Sequence, residues 1–147
     1  MKSHIPNSFT SDRRFELWEY RGFHWQFLLR SQPDKIHPFN IDITFSGVSY
    51  IQVELGFHGL EIQRASLEEE TSFRVTRKLF RSQILIKIHS QTLDYFLVCN
   101  GFNVYKNTLD LSKSPLVAFD DDDQLPVESF GELLAADSSH RSEAASS

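Results

Sequence analysis

The alternation of apolar and polar residues from Ile41 to Leu55 constrains the fold of this chain more than any other feature. The segment reads IDITFSGVSYIQVEL, and its odd-numbered positions are mostly apolar with no change of parity. Successive side chains of a strand point to opposite faces, so a period of two predicts half-buried strand and not helix. Gly47 and Ser49 are small residues at the centre, where a bend or bulge costs little. We predict two consecutive strands, or one long strand bent at Gly47.

Further strands are predicted on both sides of this segment. Phe15 to Tyr20 and Phe23 to Arg30 form a first pair, with Arg21-Gly22 as a tight turn, because glycine tolerates positive φ. The remaining strands are expected at residues 60–65, 83–90, 92–100 and 102–108. Asn100-Gly101 is a strong hairpin dipeptide, so the last three are predicted to form a meander.

The two aromatic strands differ in how clearly their faces are defined. Alternation on the second strand places Phe23, Trp25, Phe27 and Leu29 on one core face. On the first strand, Trp18 and Tyr20 share a face opposite Phe15 and Leu17. We expect Trp18 and Tyr20 either to cover a second layer or to form an exposed patch for a partner, and the burial of most large aromatics favours the second layer.

Charge is distributed unevenly and sets the predicted domain boundaries. Residues 1–113 carry 14 Lys or Arg against 12 Asp or Glu, whereas residues 114–147 carry one Arg against eight acids. We predict a disordered N-terminus at 1–12, a β domain at 13–114, and an acidic, mostly disordered tail at 115–147. Within the tail, a short helix over 129–136 would place Phe130, Leu133 and Leu134 on one face for docking.

The fold class that follows is mainly β. It consists of a single antiparallel β domain, built as a curved sheet or a sandwich, because many segments alternate and few helical ones are available to cover them. The spacing of Ser66 and Glu69 matches a capping box and predicts one short helical turn from about Leu67 to Thr71.

Residue patterns that carry chemistry are weak in this sequence. The six histidines show no metal-ligand spacing, and the carboxylates lie on polar strand faces or in charged runs. Cys99 lies in the apolar run YFLVCN, which predicts a buried and unreactive thiol. We therefore predict no catalytic residue, no metal site and no cofactor. These patterns favour a protein without enzymatic activity over an enzyme.

One basic cluster interrupts this near-neutral domain. It comprises Arg74, Arg77, Lys78 and Arg81, flanked by Phe73 and Phe80. It is either an exposed connector balanced by the acids before it, or a contact for an anionic partner such as single-stranded nucleic acid. The near-neutral domain makes nucleic acid the less expected partner.

The segments WEY (residues 18–20), LLRS (28–31) and NIDITFSGVSYI (40–51) occur in this order. In this respect the chain resembles a set of short bacterial proteins without assigned activity, over about residues 15–60. The shared motifs are strand residues, a turn and a glycine bend. The resemblance implies one small domain of bacterial type and assigns no catalytic residue.

Two functional hypotheses follow from the sequence. The first is a small non-enzymatic protein-interaction module, of the immunity or accessory type. Its candidate anchors are Trp18, Tyr20, Trp25 and Tyr50. The alternative is a β-sheet domain that binds a small ligand, with or without catalysis, in an aromatic-lined pocket. An exposed patch with Trp18 or Trp25 favours the first, and a closed pocket with Glu19, His24 or Tyr50 favours the second.

The cellular location is predicted from hydropathy and cysteine usage. No apolar run approaches the roughly 20 residues that a membrane span requires, and a single cysteine suits a reducing compartment. We expect a cytoplasmic protein that does not bind membranes. The sequence does not predict the oligomeric state or the identity of the partner.

Overall fold

Nine antiparallel strands form one open sheet in the computed structural model, which describes residues 4–140. The strands are β1 (Phe9–Arg21), β2 (Gln26–Ser31), β3 (Asn40–Ser46), β4 (Tyr50–Gln52), β5 (Gly56–Arg64), β6 (Ile84–His89), β7 (Asp94–Cys99), β8 (Gly101–Asn107) and β9 (Glu132–Ser138), and the α-helix is α1 (Leu67–Arg74). Their order across the sheet is β4-β7-β6-β5-β1-β2-β3-β8-β9. The predicted mainly-β class with at most one short helix is confirmed.

The long strand β1 joins the two halves of the sheet. Its first part pairs with β5, from Phe9 opposite Ile62 to Glu16 opposite Gly56. Its second part pairs with β2, as far as Arg21 opposite Gln26. Both pairings are interrupted by an irregularity, and bulges of this kind bend and twist a strand. The bends let the sheet curve until the apolar faces of both halves enclose a single core.

The chain passes between the halves again where β3 leads into β4 and β7 leads into β8. Gly47, with a φ of 61°, separates β3 from β4, as the alternation predicted. The two passages run side by side, because Asn100 N donates to Ser46 O (2.8 Å) and Ser49 N donates to Val98 O (2.9 Å). We call residues 47–49 the crossing.

The predicted meander over residues 83–108 is wrong at its second turn. β6 and β7 do pair, with Ile84 opposite Cys99. However, β8 pairs with β3 and β9, not with β7. Asn100-Gly101 does supply a change of direction, but it directs the chain from one half of the sheet into the other instead of closing a hairpin.

The core lies between the two halves and draws on eight of the strands. Its buried members are Phe15, Phe27, Leu29, Ile41, Ile43, Phe45, Val48, Phe57, Leu60, Ile62, Ile84, Ile86, Ile88, Tyr95, Leu97, Cys99, Phe102, Val104 and Ala135. Two segments cover outer faces of the sheet. α1 contacts β6 through an ion pair between Glu69 and Lys87 (2.7 Å). Residues 111–117 lie against β2, because Arg30 donates to the carbonyls of Leu111 and Lys113 and Gln26 donates to that of Val117.

The predicted disordered termini need correction. β1 begins at Phe9, so residues 9–12 belong to the domain. Residues 115–140 also carry structure: Leu116 is buried, and β9 at Glu132–Ser138 replaces the predicted helix 129–136. Pairing with the edge of β8 gives these residues backbone hydrogen bonds to a strand of the core, whereas a helix this short is unstable alone. Residues 1–3 and 141–147 lie outside the described residues.

Of the predicted docking residues of the tail, Leu133 and Leu134 lie in β9, whereas Phe130 ends a 3-10 turn at Val127–Phe130 just before it. Leu133 lies opposite Tyr105 of β8, and Leu134 packs against the core. The ring of Phe130 meets that of Tyr105 edge-on at 5.7 Å between centroids. All three side chains are half-buried, so the tail contributes a strand to the domain.

Candidate functional site

The turn between β1 and β2 is the most unusual part of the backbone. Its residues Phe23–Trp25 form a single 3-10 turn, and β2 starts only at Gln26, three residues later than alternation predicted. His24 and Trp25 have φ values of 61° and 50°, in the left-handed region that bulky residues rarely adopt. Two backbone hydrogen bonds tie the turn to the crossing: Gly47 N donates to His24 O (3.2 Å), and Val48 N donates to Trp25 O (3.0 Å).

Large aromatic side chains project from this fixed turn. Trp25 is 59% exposed and Phe23 is 38% exposed. Phe119, which is 85% exposed, meets the Phe23 ring edge-on at 5.3 Å between centroids. We call Phe23, Trp25 and Phe119 the aromatic surface. Trp25 lies two residues from Phe23 on the same turn. Exposed apolar patches mark interaction sites on soluble domains.

Trp18 and Tyr20 do not share a face, contrary to the prediction. The register shift between Leu17 and Glu19 changes the parity of the strand. Tyr20 therefore lies on the core side, with its ring 4.8 Å from that of Phe27, and remains half-exposed at the sheet margin. Trp18 lies on the outer side, where the guanidinium of Arg30 sits 5.4 Å from its ring centroid. Trp18 thus covers a second layer.

A buried ion pair fixes that second layer. Arg30 and Asp42 are both fully buried and make two hydrogen bonds, from Nε to Oδ1 (2.6 Å) and from Nη2 to Oδ2 (2.8 Å). Arg30 also donates to the carbonyls of Leu111 (3.4 Å) and Lys113 (2.9 Å), and Asn107 Nδ2 donates to Asp42 Oδ2 (3.0 Å). Buried charges require such full pairing. The pair therefore ties residues 107–113 to the sheet.

Gln26 fastens the chain just before Phe119. Its side chain is buried, accepts a hydrogen bond from Val117 N (2.6 Å) and donates to Val117 O (2.9 Å). The same amide donates to Phe23 O (2.8 Å). One buried side chain therefore holds together both segments that supply the aromatic surface.

An acidic segment follows the aromatic surface directly. Asp121–Asp123 form a 3-10 turn, and Asp120 accepts a hydrogen bond from Asp122 N (3.0 Å). Within residues 4–140, none of the four carboxylates takes part in an ion pair. Asp120 and Asp123 line an open cleft of about 650 Å³. The other lining residues include Arg21, Phe23, Lys113 and Phe119.

The candidate binding residue Tyr50 is covered by side chains of the same molecule. The guanidinium of Arg77 lies 4.7 Å from the Tyr50 ring centroid, and Phe73 meets that ring edge-on at 5.3 Å. Tyr50 is half-buried as a result. It serves to hold the segment after α1 against the sheet.

The basic cluster lies on an exposed connector. Arg74 pairs with Glu70 (2.9 Å), whereas Arg77, Lys78 and Arg81 have no ion pair among the described residues. Phe80 next to them is 64% exposed. We call Arg77, Lys78, Phe80 and Arg81 the basic surface. The acidic run Asp120–Asp123 does not meet it: Asp120 and Asp123 line a cleft with Phe23, whereas Arg81 lines a different cleft with Arg64 and Ser139.

The histidines occupy separate positions. His24 lies in the β1–β2 turn and His58 in β5, while His89 Nδ1 lies 2.5 Å from Asp94 Oδ1, a hydrogen bond that lowers the pKa of the Asp94 carboxyl. In the part of the chain that the structure describes, no group of three or more His, Cys, Asp or Glu could hold a metal ion.

Cys99 is predicted to be unreactive in the native protein. It is fully buried, and this burial raises the pKa of its thiol to about 12. Since the thiolate is the reactive species, we expect negligible labelling by a thiol reagent at neutral pH and labelling of one thiol per chain after denaturation. The two states are compared by mass spectrometry, and rapid labelling of the native chain would contradict the expectation.

Comparisons of the chain with protein-family models, curated proteins and solved structures found no match in any of the three. No helix in residues 4–140 is long and apolar enough to cross a membrane. Any statement about function therefore depends on the surfaces described above.

Proposed function

We propose that this chain is a small non-enzymatic protein-interaction module, of the immunity or accessory type, which binds its partner through the aromatic surface. The observation that carries the proposal is the exposure of Trp25 and Phe119 on segments that the fold holds in place. As part of the same proposal, it acts in the bacterial cytoplasm, where a single buried cysteine suits the reducing conditions.

The physical case starts with the energetics of interfaces. Aromatic anchors, tryptophan above all, contribute a large share of binding energy when a partner excludes water around them. Ordering a mobile loop on binding costs free energy, whereas a pre-formed loop avoids that cost. The backbone hydrogen bonds from Gly47 and Val48, and the contacts of Gln26, supply this pre-organisation. The left-handed backbone conformation of Trp25 costs free energy, so it persists only because the surrounding contacts fix it.

The small-ligand alternative has weaker support. The cleft of about 650 Å³ beside Phe23 is open to solvent and is lined by charges of both signs. Small-ligand sites are concave, mostly apolar and enclosing. The sequence-based criterion for this alternative was a closed pocket with Glu19, His24 or Tyr50, and none of these residues lines that cleft.

The proposal predicts that removing two aromatic side chains abolishes partner capture. The immobilised wild-type chain and the variant W25S/F119S are incubated with lysate of the source cells, and retained proteins are quantified by mass spectrometry. Because interface anchors typically contribute about 2 kcal/mol or more each, we expect at least one protein to be retained at least about tenfold less by the variant.

Ile36→Ser is the matched control, since Ile36 is 82% exposed and lies in the β2–β3 connection. It should retain the same proteins as the wild type. The interaction is then repeated with the purified partner to establish direct binding. Identical retention by the wild type and W25S/F119S would refute the proposal.

A further inference from the structure

The chain carries two exposed regions of opposite charge, and each includes exposed apolar side chains. The aromatic surface continues into the four carboxylates of Asp120 to Asp123. The basic surface carries three cations around Phe80, and the nearby Val75 is 81% exposed. The two surfaces are therefore complementary. The cations of one can pair with the carboxylates and aromatic faces of the other, and the apolar groups of both can pack together.

The two surfaces do not satisfy each other within one molecule. Among the described residues, the ion pairs include neither the acidic segment nor Arg77, Lys78 and Arg81. Four neighbouring carboxylates repel one another, and the basic side chains do the same. A contact from outside the molecule would relieve both repulsions.

A chain of direct contacts places the surfaces on either side of the crossing. Trp25 O accepts a hydrogen bond from Val48 N (3.0 Å). Two residues further on, Tyr50 carries Arg77 over its ring. Gln83, which follows the basic surface, donates to Ser49 Oγ (2.8 Å). The Trp25 end of the aromatic surface and the Arg77 end of the basic surface therefore both adjoin the crossing.

Adjacent halves of opposite character make a surface complementary to itself. In a two-fold dimer the same patch of both copies meets. If a residue on one side of the axis contacts a given residue of the second copy, the reverse contact also forms. With the axis near the crossing, the acidic-aromatic half of one copy faces the basic half of the other, twice over. Both halves are satisfied at once, and no unpaired end remains to extend the assembly.

We infer that the aromatic surface binds a second copy of this chain in a two-fold dimer, in which Phe23, Trp25, Phe119 and the acidic segment of each copy contact the basic surface of its partner copy. This inference rests on the proposed function, because it names an occupant of the same surface. It predicts a reversible dimer that weakens as salt is added, because exposed charges are screened.

Charge exchange tests the dimer. D121K/D122K reverses part of the acidic segment, and K78E/R81E reverses part of the basic surface while keeping Arg77 on Tyr50. Sedimentation equilibrium at low salt should show a monomer–dimer equilibrium for the wild type. Each variant alone should dimerise at least tenfold more weakly, since like charges then face each other. An equimolar mixture should restore dimerisation, because every contact again joins opposite charges.

Two controls separate specific pairing from general attraction between oppositely charged proteins. Adding W25S to both exchanged variants should abolish association of the mixture, whereas adding I36S should leave it unchanged. A wild type that stays monomeric at all concentrations, or a mixture that stays monomeric, would overturn the dimer. So would a mixture that associates equally well with W25S.

The result can be separated from that of the proposed function. If the wild type is monomeric and a different protein is still captured through Trp25, the dimer fails and the interaction module stands. If the aromatic variants capture and dimerise like the wild type, both fail.

Discussion

Replacing Arg30 with leucine is expected to lower the free energy of unfolding by about 3–5 kcal/mol, because the change leaves the carboxylate of Asp42 buried without a counter-charge. Both side chains of the pair are fully buried. A domain of this size typically has only about 5–15 kcal/mol of stability in total, so the variant should unfold at much lower denaturant. Urea unfolding followed by tryptophan fluorescence measures the difference.

A surface pair provides the matched control. Arg14 and Glu16 lie 3.4 Å apart, and the Arg14 side chain is 51% exposed. Exposed pairs of this kind contribute about 0–1 kcal/mol, so R14L should change the stability little. R30L/D42L should recover much of the loss of R30L, because no lone charge remains buried. The role assigned to Arg30 is wrong if R30L costs no more than R14L.

The double variant also connects the ion pair to the aromatic surface. R30L/D42L lacks the donors to the carbonyls of Leu111 and Lys113. We therefore expect the segment that leads to Phe119 to detach even when the domain as a whole is stable. Limited trypsin digestion should cleave after Lys113 faster in the double variant than in the wild type, and equal rates would contradict this role of the pair.

The class of the fold was predictable because it depends on local periodicity. The alternation from Ile41 to Leu55 describes the residues themselves, and the structure places β3 and β4 there with a break at Gly47. The capping box of Ser66 and Glu69 is equally local, and α1 begins where it predicts. Pattern and propensity within a few neighbouring residues are enough to predict such features.

The pairing of the strands and the face to which each side chain points were not predictable. The first depends on partners far away in the sequence, and the second changes with a single extra residue. Asn100-Gly101 has the sequence of a hairpin, yet its flanking strands belong to different halves of the sheet. One register shift after Leu17 moved Tyr20 to the face opposite the one predicted. A period of two makes every face assignment sensitive to one such bulge.

Only part of the candidate site could be predicted from the sequence. Aromatic richness drew attention to Trp25, but alternation assigned it to the core, whereas the chain forms a turn there and exposes it. Phe119 was missed, because an acidic, proline-containing segment is typical of disorder. What orders it are two side chains far away in the sequence, Gln26 on Val117 and Arg30 on Lys113. Composition contains no information about such a distant anchor.

Substituting alanine for Gly131 is expected to release β9 from the sheet. Gly131 has φ 97° and ψ −161°, a region that only glycine adopts readily, and a Cβ there would lie 2.0 Å from Lys106 O. The backbone strain alone costs about 1–3 kcal/mol, and the clash is with main chain of β8, which cannot move aside cheaply. We expect a loss of at least about 2 kcal/mol in the free energy of unfolding.

Gly22→Ala is the control, since Gly22 has φ −64° and its Cβ would meet no atom within 4 Å. That variant should match or slightly exceed the stability of the wild type, by up to about 1 kcal/mol. Hydrogen exchange shows which strand is destabilised: in G131A, the amides of β9 should lose protection first. Release of β9 would also break the ion pair between Arg64 and Asp137 (2.7 Å) that ties β9 to β5. Because β6 and β7 do not pair with β9, their amides should stay protected. Uniform loss of protection across all strands would show that β9 is integral to the folding of the whole sheet and not an added edge.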